Sequence, residues 1–223
     1  MAAQSLNELF VEELRDMYDG EHRLTKALPR MARAAEHPEL QAAFTSHLKE
    51  TERQIKRLEQ VFRAVGERPR AKKCDGIMGI VEEGKTAMEE LDGAVLDAAL
   101  IAGAQKVEHY EIASYGTLAY FAELLGNDEA KNLLGETLNE EKAADKKLND
   151  IAKSRVNRDA LMAAGMDGDE QEEEESMSAG GSRATADNRM SRQATRRSGT
   201  RRTGRSGGGA TGRARGSSRG RKR

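Results

Sequence analysis

Between residues 6 and about 155 the apolar side chains recur at three- and four-residue steps through four long segments. Such stripes are buried when amphipathic helices pack against one another, and a sheet, with its period of two, cannot bury them. The first stripe runs Phe10, Leu14, Met17, Tyr18, Leu24, Leu28 and Met31, behind the capping-box pair Ser5 and Glu8. A helix over about 6–35 is predicted, with Pro29 kinking it. His37-Pro38 marks a turn, with Pro at the first position of a second helix. That helix carries Leu40, Phe44, Leu48, Ile55, Leu58 and Phe62 and ends near Gly66. After a loop around Arg68-Pro69-Arg70, a shorter helical segment at 75–91 leads to a third long helix from Asp92-Gly93. The third helix carries Val95, Leu100, Val107, Tyr115, Leu118 and Phe121 and stops at Gly126. Asn127 then caps a fourth, with Leu134, Leu138, Leu148 and Ile151.

Two helical hairpins joined by a long crossover describe an all-α, ferritin-like four-helix bundle, here with a short extra helix on the crossover. With only eight Phe and Tyr and no Trp, and with Ala and Leu recurring, the composition favours helix over sheet. Sliding the sequence against itself by 90 residues aligns the hairpins without a gap. Leu28 then meets Leu118, Leu48 meets Leu138 and Leu58 meets Leu148. Such leucine coincidences are common between amphipathic hairpins. Two glutamate coincidences, Glu21 with Glu111 and Glu50 with Glu140, are more selective. A pseudo-two-fold bundle is expected to bring these four towards a common level.

Those glutamates open the question of chemistry, because an ionised carboxylate inside a bundle is costly unless paired or metal-bound. Glu21 lies on the first stripe between Tyr18 and Leu24. Glu111 lies between Val107 and Tyr115, with Glu108 one turn before it. His47 and Glu50 share a face of the second helix. Glu140 and Glu141 straddle the fourth stripe, with Asp145 one turn after Glu141. Carboxylate and imidazole ligands suit Fe, Mn or Zn. Di-metal bundles draw a Glu from each of two helices and a Glu-x-x-His pair from each of the others. Here Arg53 follows Glu50 by three and Ala143 follows Glu140 by three, and the histidine precedes its glutamate as His47-x-x-Glu50. Any metal site is therefore carboxylate-rich and histidine-poor. The competing interpretation places each Glu at the solvent edge of its stripe, Glu141 with Lys142 on a solvated face, and His47 in the core as a hydrogen-bonded residue. His109 falls off the stripe.

Charge divides the chain. Residues 181–223 hold thirteen Arg and Lys222 against the single acid Asp187, so the rest carries −14 to reach the overall −1. Three parts are expected: a bundle over 1–160, an acidic linker over 161–180, and a basic Arg/Gly/Ser-rich tail over 181–223. The tail cannot bury enough apolar surface to offset the entropy of ordering it, so disorder is expected. Its cations include Arg196, Arg197, Arg201, Arg202, Arg205, Arg213, Arg215, Arg219, Arg221, Lys222 and Arg223. No aromatic is interleaved for base stacking and no zinc spacing accompanies them, which leaves non-specific phosphate neutralisation of nucleic acid. The alternatives are a solubilising tail or one folded back on the acidic run.

Three runs carry a resemblance: ELRDMYDGEHRLTKALPRMARAA at 13–35, DAALIAGAQKVEHYEIASYGTLAYFAELLG at 97–126, and LLGETLNEEKAADKKL at 133–148. With SHLKETERQI in the second helix, they resemble the YciF-type bacterial stress proteins, a ferritin-like family, over about residues 5–155. The resemblance implies a helical ferritin-like fold, a homodimer, a dinuclear iron or manganese site and expression under stress. It implies no defined reaction. Its motif positions fall here on Glu21, Glu50, Glu108, Glu111, Glu140, Glu141 and Asp145, with His47 in the H-x-x-E-T run. Cys74 lies in a stretch similar to the family and reads as a small buried residue rather than a redox group. Pro29 and the tail lie outside what the resemblance explains.

A lone cysteine excludes an intramolecular disulfide. No apolar run reaches the roughly 18–20 residues needed to span a bilayer, and MAAQSLNELF lacks a basic region ahead of an apolar stretch. A cytoplasmic, nucleoid-associated protein without a membrane partner is expected. The leading expectation is a stress protein with two Fe or Mn ions that oxidises Fe(II) or removes peroxide, tethered to DNA by its tail. The rivals are a non-enzymatic nucleic-acid-binding protein whose bundle serves only for dimerisation, and another ferritin-like enzyme such as an oxygenase or manganese catalase.

Overall fold

A computed structural model describes residues 3–163 and 165; the rest of the expected acidic linker and the whole basic tail lie outside the described residues. Every described element is helical. The long helices are α1 (Leu6–Ala34), α2 (Pro38–Ala64), α4 (Gly93–Leu124) and α5 (Asp128–Ile151), and α3 (Asp75–Glu90) lies on the crossover. They form the ferritin-like bundle: α1 packs on α2 and α4, α5 packs on α2 and α4, and α3 lies over α1 and α4. None of the described helices is long and apolar enough to cross a membrane.

The helix ends follow local chemistry. Ser5 Oγ accepts from Glu8 N at 3.2 Å. The Glu8 carboxylate bonds Gln4 N at 2.6 Å instead of closing the box on Ser5. α1 runs unbroken through Pro29. At the ends of α2 and α4, Gly66 (φ 75°) and Gly126 (φ 71°) supply the left-handed residue of a Schellman motif. Glu67 N and Asn127 N then donate back to Phe62 O and Ala122 O, each at 2.9 Å. Asn127 caps α5 through Ala130 N at 2.9 Å and ties it to Ala64 O at 3.0 Å. At the other end of the bundle, buried Asp97 of α4 accepts from Glu36 N and His37 N at 2.9 and 2.8 Å. It thereby caps the α1–α2 turn that His37 itself leaves uncapped.

One expectation is corrected: Val95, counted on the α4 stripe, is 41% exposed, one position before the buried Leu96. Past α5, a π-helical turn, Ala152–Val156, leads to a short α6 (Asn157–Ala163) that packs back on α4. Val156, 1% exposed, anchors it.

The core is split into two apolar regions. One is built on Phe10, Leu14, Leu58, Phe62, Leu118 and Leu134. The other is built on Leu24, Leu28, Phe44, Leu100, Val107 and Leu148. On every long helix the polar buried residues lie between them: Glu21 on α1, His47, Thr51 and Gln54 on α2, Glu108 and Glu111 on α4, Thr137 and Glu141 on α5. The bundle is a hydrophobic cylinder interrupted by one polar layer.

α3 is held close to that layer. Cys74, fully buried, caps it and donates from Sγ to Tyr110 Oη at 3.4 Å, while Tyr110 Oη donates to Asp16 at 2.9 Å. Gly76 sits against the same ring, so a Cβ there would overlap Tyr110, with Cζ 2.9 Å away. Because Tyr110 is tied at its hydroxyl, the ring cannot swing aside. Gly76→Ala is expected to destabilise the protein by about 1–2 kcal/mol, overpacking outweighing helix propensity. Gly79→Ala, with nothing within 4 Å, should stabilise it by about 0.5–1 kcal/mol. Thermal melts of the two variants should move in opposite directions; a shift of the same sign would refute the close approach.

Candidate metal centre

Each long helix sends at least one ligand-type side chain into the polar layer because its stripe is interrupted there. Glu21, Glu108, Glu111 and Glu141 are at most 2% exposed, and His47 is 8% exposed. His47, Glu108, Glu111 and Glu141 each offer a ligand atom within 4.8 Å of the others. Glu21 joins them from α1 with Oε1 accepting the Tyr115 hydroxyl. Gln54 Nε2 orients Glu141 through Oε1 at 2.6 Å.

The inward-facing atoms are left without partners. Glu21 Oε2, Glu108 Oε2, Glu141 Oε2, both oxygens of Glu111 and both nitrogens of His47 lack a hydrogen bond. His47 stands 3.3 Å from Glu108 and 3.5 Å from Glu50, close enough for charge attraction but outside hydrogen-bonding geometry. Buried polar atoms are nearly always satisfied, and orphaned ones call for an explanation such as an ion.

Electrostatics point the same way. Burial raises the carboxyls of Glu111 and Glu141 well above the ordinary range, and the charge of Glu21 adds to it at both. Burial also raises Glu108, against the pull of His47. Burial pushes Glu21 up to about 7, although the Tyr115 hydroxyl favours its charged form. Burial alone would lower His47, but the carboxylates of Glu50, Glu108 and Glu21 outweigh it and raise it. Four glutamates around one imidazole are too many acids to ionise together without added positive charge. A donor set of carboxylates and one imidazole, with free lone pairs converging inside the bundle, fits iron or manganese.

The sign of the pH dependence follows for metal-free protein. A carboxyl raised on folding contributes stability that is full below its unfolded value and is lost as pH rises through its folded value. For Glu21 the window runs from 4.5 to about 7, and the change is roughly 3 kcal/mol. His47, also raised, has the same sign. Glu50 and Asp19, both lowered, lose stability as pH falls and act below that window. The melting midpoint of chelator-treated protein should therefore drop by about 5–10 °C between pH 5.5 and 8. A midpoint that rises over this range would contradict the buried layer.

Three of the expected site residues lie outside the buried group. Glu50 is 32% exposed at its side chain, beside His47. Glu140, 26% exposed, is held by Arg57 at 2.8 Å and by Gln54 at 3.1 Å. Asp145, 20% exposed, faces His109 at 3.4 Å and Gln105 at 3.3 Å. The 90-residue repeat therefore leaves Glu50 and Glu140 at the rim, while Glu21 and Glu111 are buried. One position on, Thr51 and Glu141 are buried, as are His47 and Thr137 one turn before them. Glu141, counted among the metal residues and placed on a solvated face only by the competing interpretation, is fully buried. One residue is a rotation of about 100°, enough to exchange core for rim. Gln54, Arg57, Thr137 and Tyr115 are supporting residues that the stripes alone do not single out; Gln54 lies three residues after Thr51 and Arg57 three after Gln54, the only signal the sequence holds for them.

Comparison with known proteins follows this geometry. Residues 5–161 match the model of a family described as a domain of unknown function, DUF892. Protein YciF of Escherichia coli (strain K12) is 47% identical over 162 residues, covering 72% of this chain and 98% of that protein. The crystal structure of the E. coli stress protein YciF superposes with a TM-score of 0.67 at 46% identity, over 70% of this chain and 99% of that one. YcfI from Rhodopseudomonas palustris superposes with a TM-score of 0.64 at 50% identity, over 66% and 94% of the two chains.

Proposed function

The chain belongs to the DUF892 family, that of the YciF-type stress proteins, and from that premise we propose that it is a stress protein binding a pair of iron or manganese ions in its polar layer. One observation carries this: four buried ligand-type side chains from three helices, His47, Glu108, Glu111 and Glu141, bring ligand atoms within 4.8 Å of one another, with unpartnered atoms on each and on buried Glu21 of α1. Glu21, His47, Glu108, Glu111 and Glu141 would hold the ions, with Glu50 at the rim beside His47. When bound, such ions supply redox chemistry towards peroxide or Fe(II). The chain does the rest. Tyr115 and Gln54 fix Glu21 and Glu141. The two apolar regions on either side keep bulk water from the layer. Glu111 and Glu141, whose carboxyls burial raises in the metal-free protein, would ionise more readily as positive charge arrives.

The basic tail adds non-specific DNA binding and a nucleoid-associated, cytoplasmic location to the proposal, resting on its charge. Pairing of two copies completes it; Tyr120 and Leu124, each more than half exposed near the end of α4, offer an apolar surface for that contact.

The test is elemental analysis of the untagged full-length protein, with an anomalous-scattering map of its crystals. Stoichiometric iron or manganese beside Glu111 and Glu141 is expected. Protein that remains metal-free after incubation with either ion would refute the proposal and favour a non-enzymatic nucleic-acid-binding protein.

A further inference from the structure

Beside the polar layer, on its Leu148 side, a half-open cleft of about 200 Å³ enters the bundle between exposed Ser46, Ala143 and Lys147. Leu28, Met31, Phe44, Val107 and Leu148 form its walls. It exists because Ala43, Ala104, Ala143 and Ala144 stand where four helices would otherwise interdigitate with larger side chains. Its inner end is formed by His47 and Glu108, both at least nine-tenths buried, whose Nδ1, Nε2 and Oε2 atoms have no hydrogen-bond partner. Glu50, Glu140 and Lys147 stand at its polar edge, on helices α2 and α5.

We propose that this cavity is a binding site for a small uncharged apolar molecule, the size of a substituted benzene ring, held with its polar edge against His47 and Glu108. This extends the proposed metal layer, on which it rests for the roles of those two residues, by giving the layer an organic substrate class. The size follows from volume: an apolar cavity of about 150 Å³ holds one benzene, and this one is somewhat larger. The apolar character follows from the walls, where Leu28, Met31, Phe44, Val107 and Leu148 face the ring and the charged side chains are confined to one end. An anion is further opposed by Glu50, Glu108 and Glu140 grouped at the polar end. A polar substituent on the ring would face the layer at His47 and Glu108.

Calorimetric titration of the full-length protein with benzyl alcohol and with benzoate tests this, the ring being the same and only the charge different. Saturable binding of one benzyl alcohol per chain is expected, with benzoate weaker by about tenfold or more. Ala144→Phe, which fills the cavity from α5, should weaken benzyl alcohol about tenfold while the metal content and melting midpoint are retained. If that variant fails to fold, Ala104→Leu fills the same space from α4, and the charge preference of the unaltered protein still decides. No saturable binding up to about 10 mM benzyl alcohol, equal binding of benzoate, or undiminished binding by a folded cavity-filled variant would overturn the inference. Protein that binds benzyl alcohol but no metal would sink the metal layer and leave the cavity site standing. Protein that binds metal but no benzyl alcohol would do the reverse.

Discussion

Replacing Glu111 and Glu141 together by glutamine is expected to abolish metal uptake and to stabilise the metal-free bundle at neutral pH. Both side chains are buried, and burial holds both carboxyls well above the ordinary range, with Glu21 adding its charge to each. Ionising them is easier in the unfolded chain than in the folded one. Glutamine removes that difference at nearly the same volume, so the apo variant should gain about 1–4 kcal/mol, as when buried charges give way to neutral groups. The neighbouring substitution Glu140→Gln should have the opposite sign. Glu140 neutralises Arg57, which is 9% exposed and also bonded to Glu136 and Thr137. Losing that partner should cost about 1–2 kcal/mol while leaving metal uptake in place. Metal analysis and chemical denaturation of the two variants measure both effects. Metal retained by the double glutamine variant, or metal lost by Glu140→Gln alone, would reverse the division between core and rim.

The second large effect concerns nucleic acid. Fourteen cationic side chains fall within residues 181–223, against one acid. If about six to ten of them engage phosphates together, affinity for duplex DNA should fall roughly 10³- to 10⁵-fold between 50 and 200 mM salt. Random-sequence competitors should displace a labelled duplex equally well, because phosphate contacts carry no sequence information. The remainder of the chain carries −14 and repels DNA, so deleting residues 176–223 should eliminate binding rather than weaken it. If the acidic run from Asp169 to Glu175 instead occupies those cations within the chain, neutralising its glutamates should tighten binding. A salt titration of both proteins is the measurement. Equal binding by full-length and truncated chains, or binding indifferent to salt, would refute the tail as a tether.

The order of elements was legible in the sequence because it depends on local signals. Three- and four-residue spacing, Ser5 and Asn127 as caps, Gly66 and Gly126 as stops, and Pro38 at a helix start each act within one or two turns. The presence of Glu21 and Glu111 inside the bundle was legible too, since each sits between apolar residues on its own stripe. Which of two adjacent glutamates enters the core was not. Glu140 and Glu141 both border the α5 stripe, and so do Glu50 and Thr51 on α2. The choice depends on how far each helix is rotated about its axis. That rotation is set by contacts between α2 and α5, including the Arg57 ties to Glu136 and Glu140 and the Gln54 bond to Glu141, which join residues about eighty apart in the chain. The Asp97 cap on the α1–α2 turn, the α6 return and the alanine-lined cavity share that origin. Local periodicity determined that there are four amphipathic helices with acids in their stripes. Only the packing of those helices decided which acids face one another, because a rotation of one residue changes no local pattern and exchanges the core for the rim.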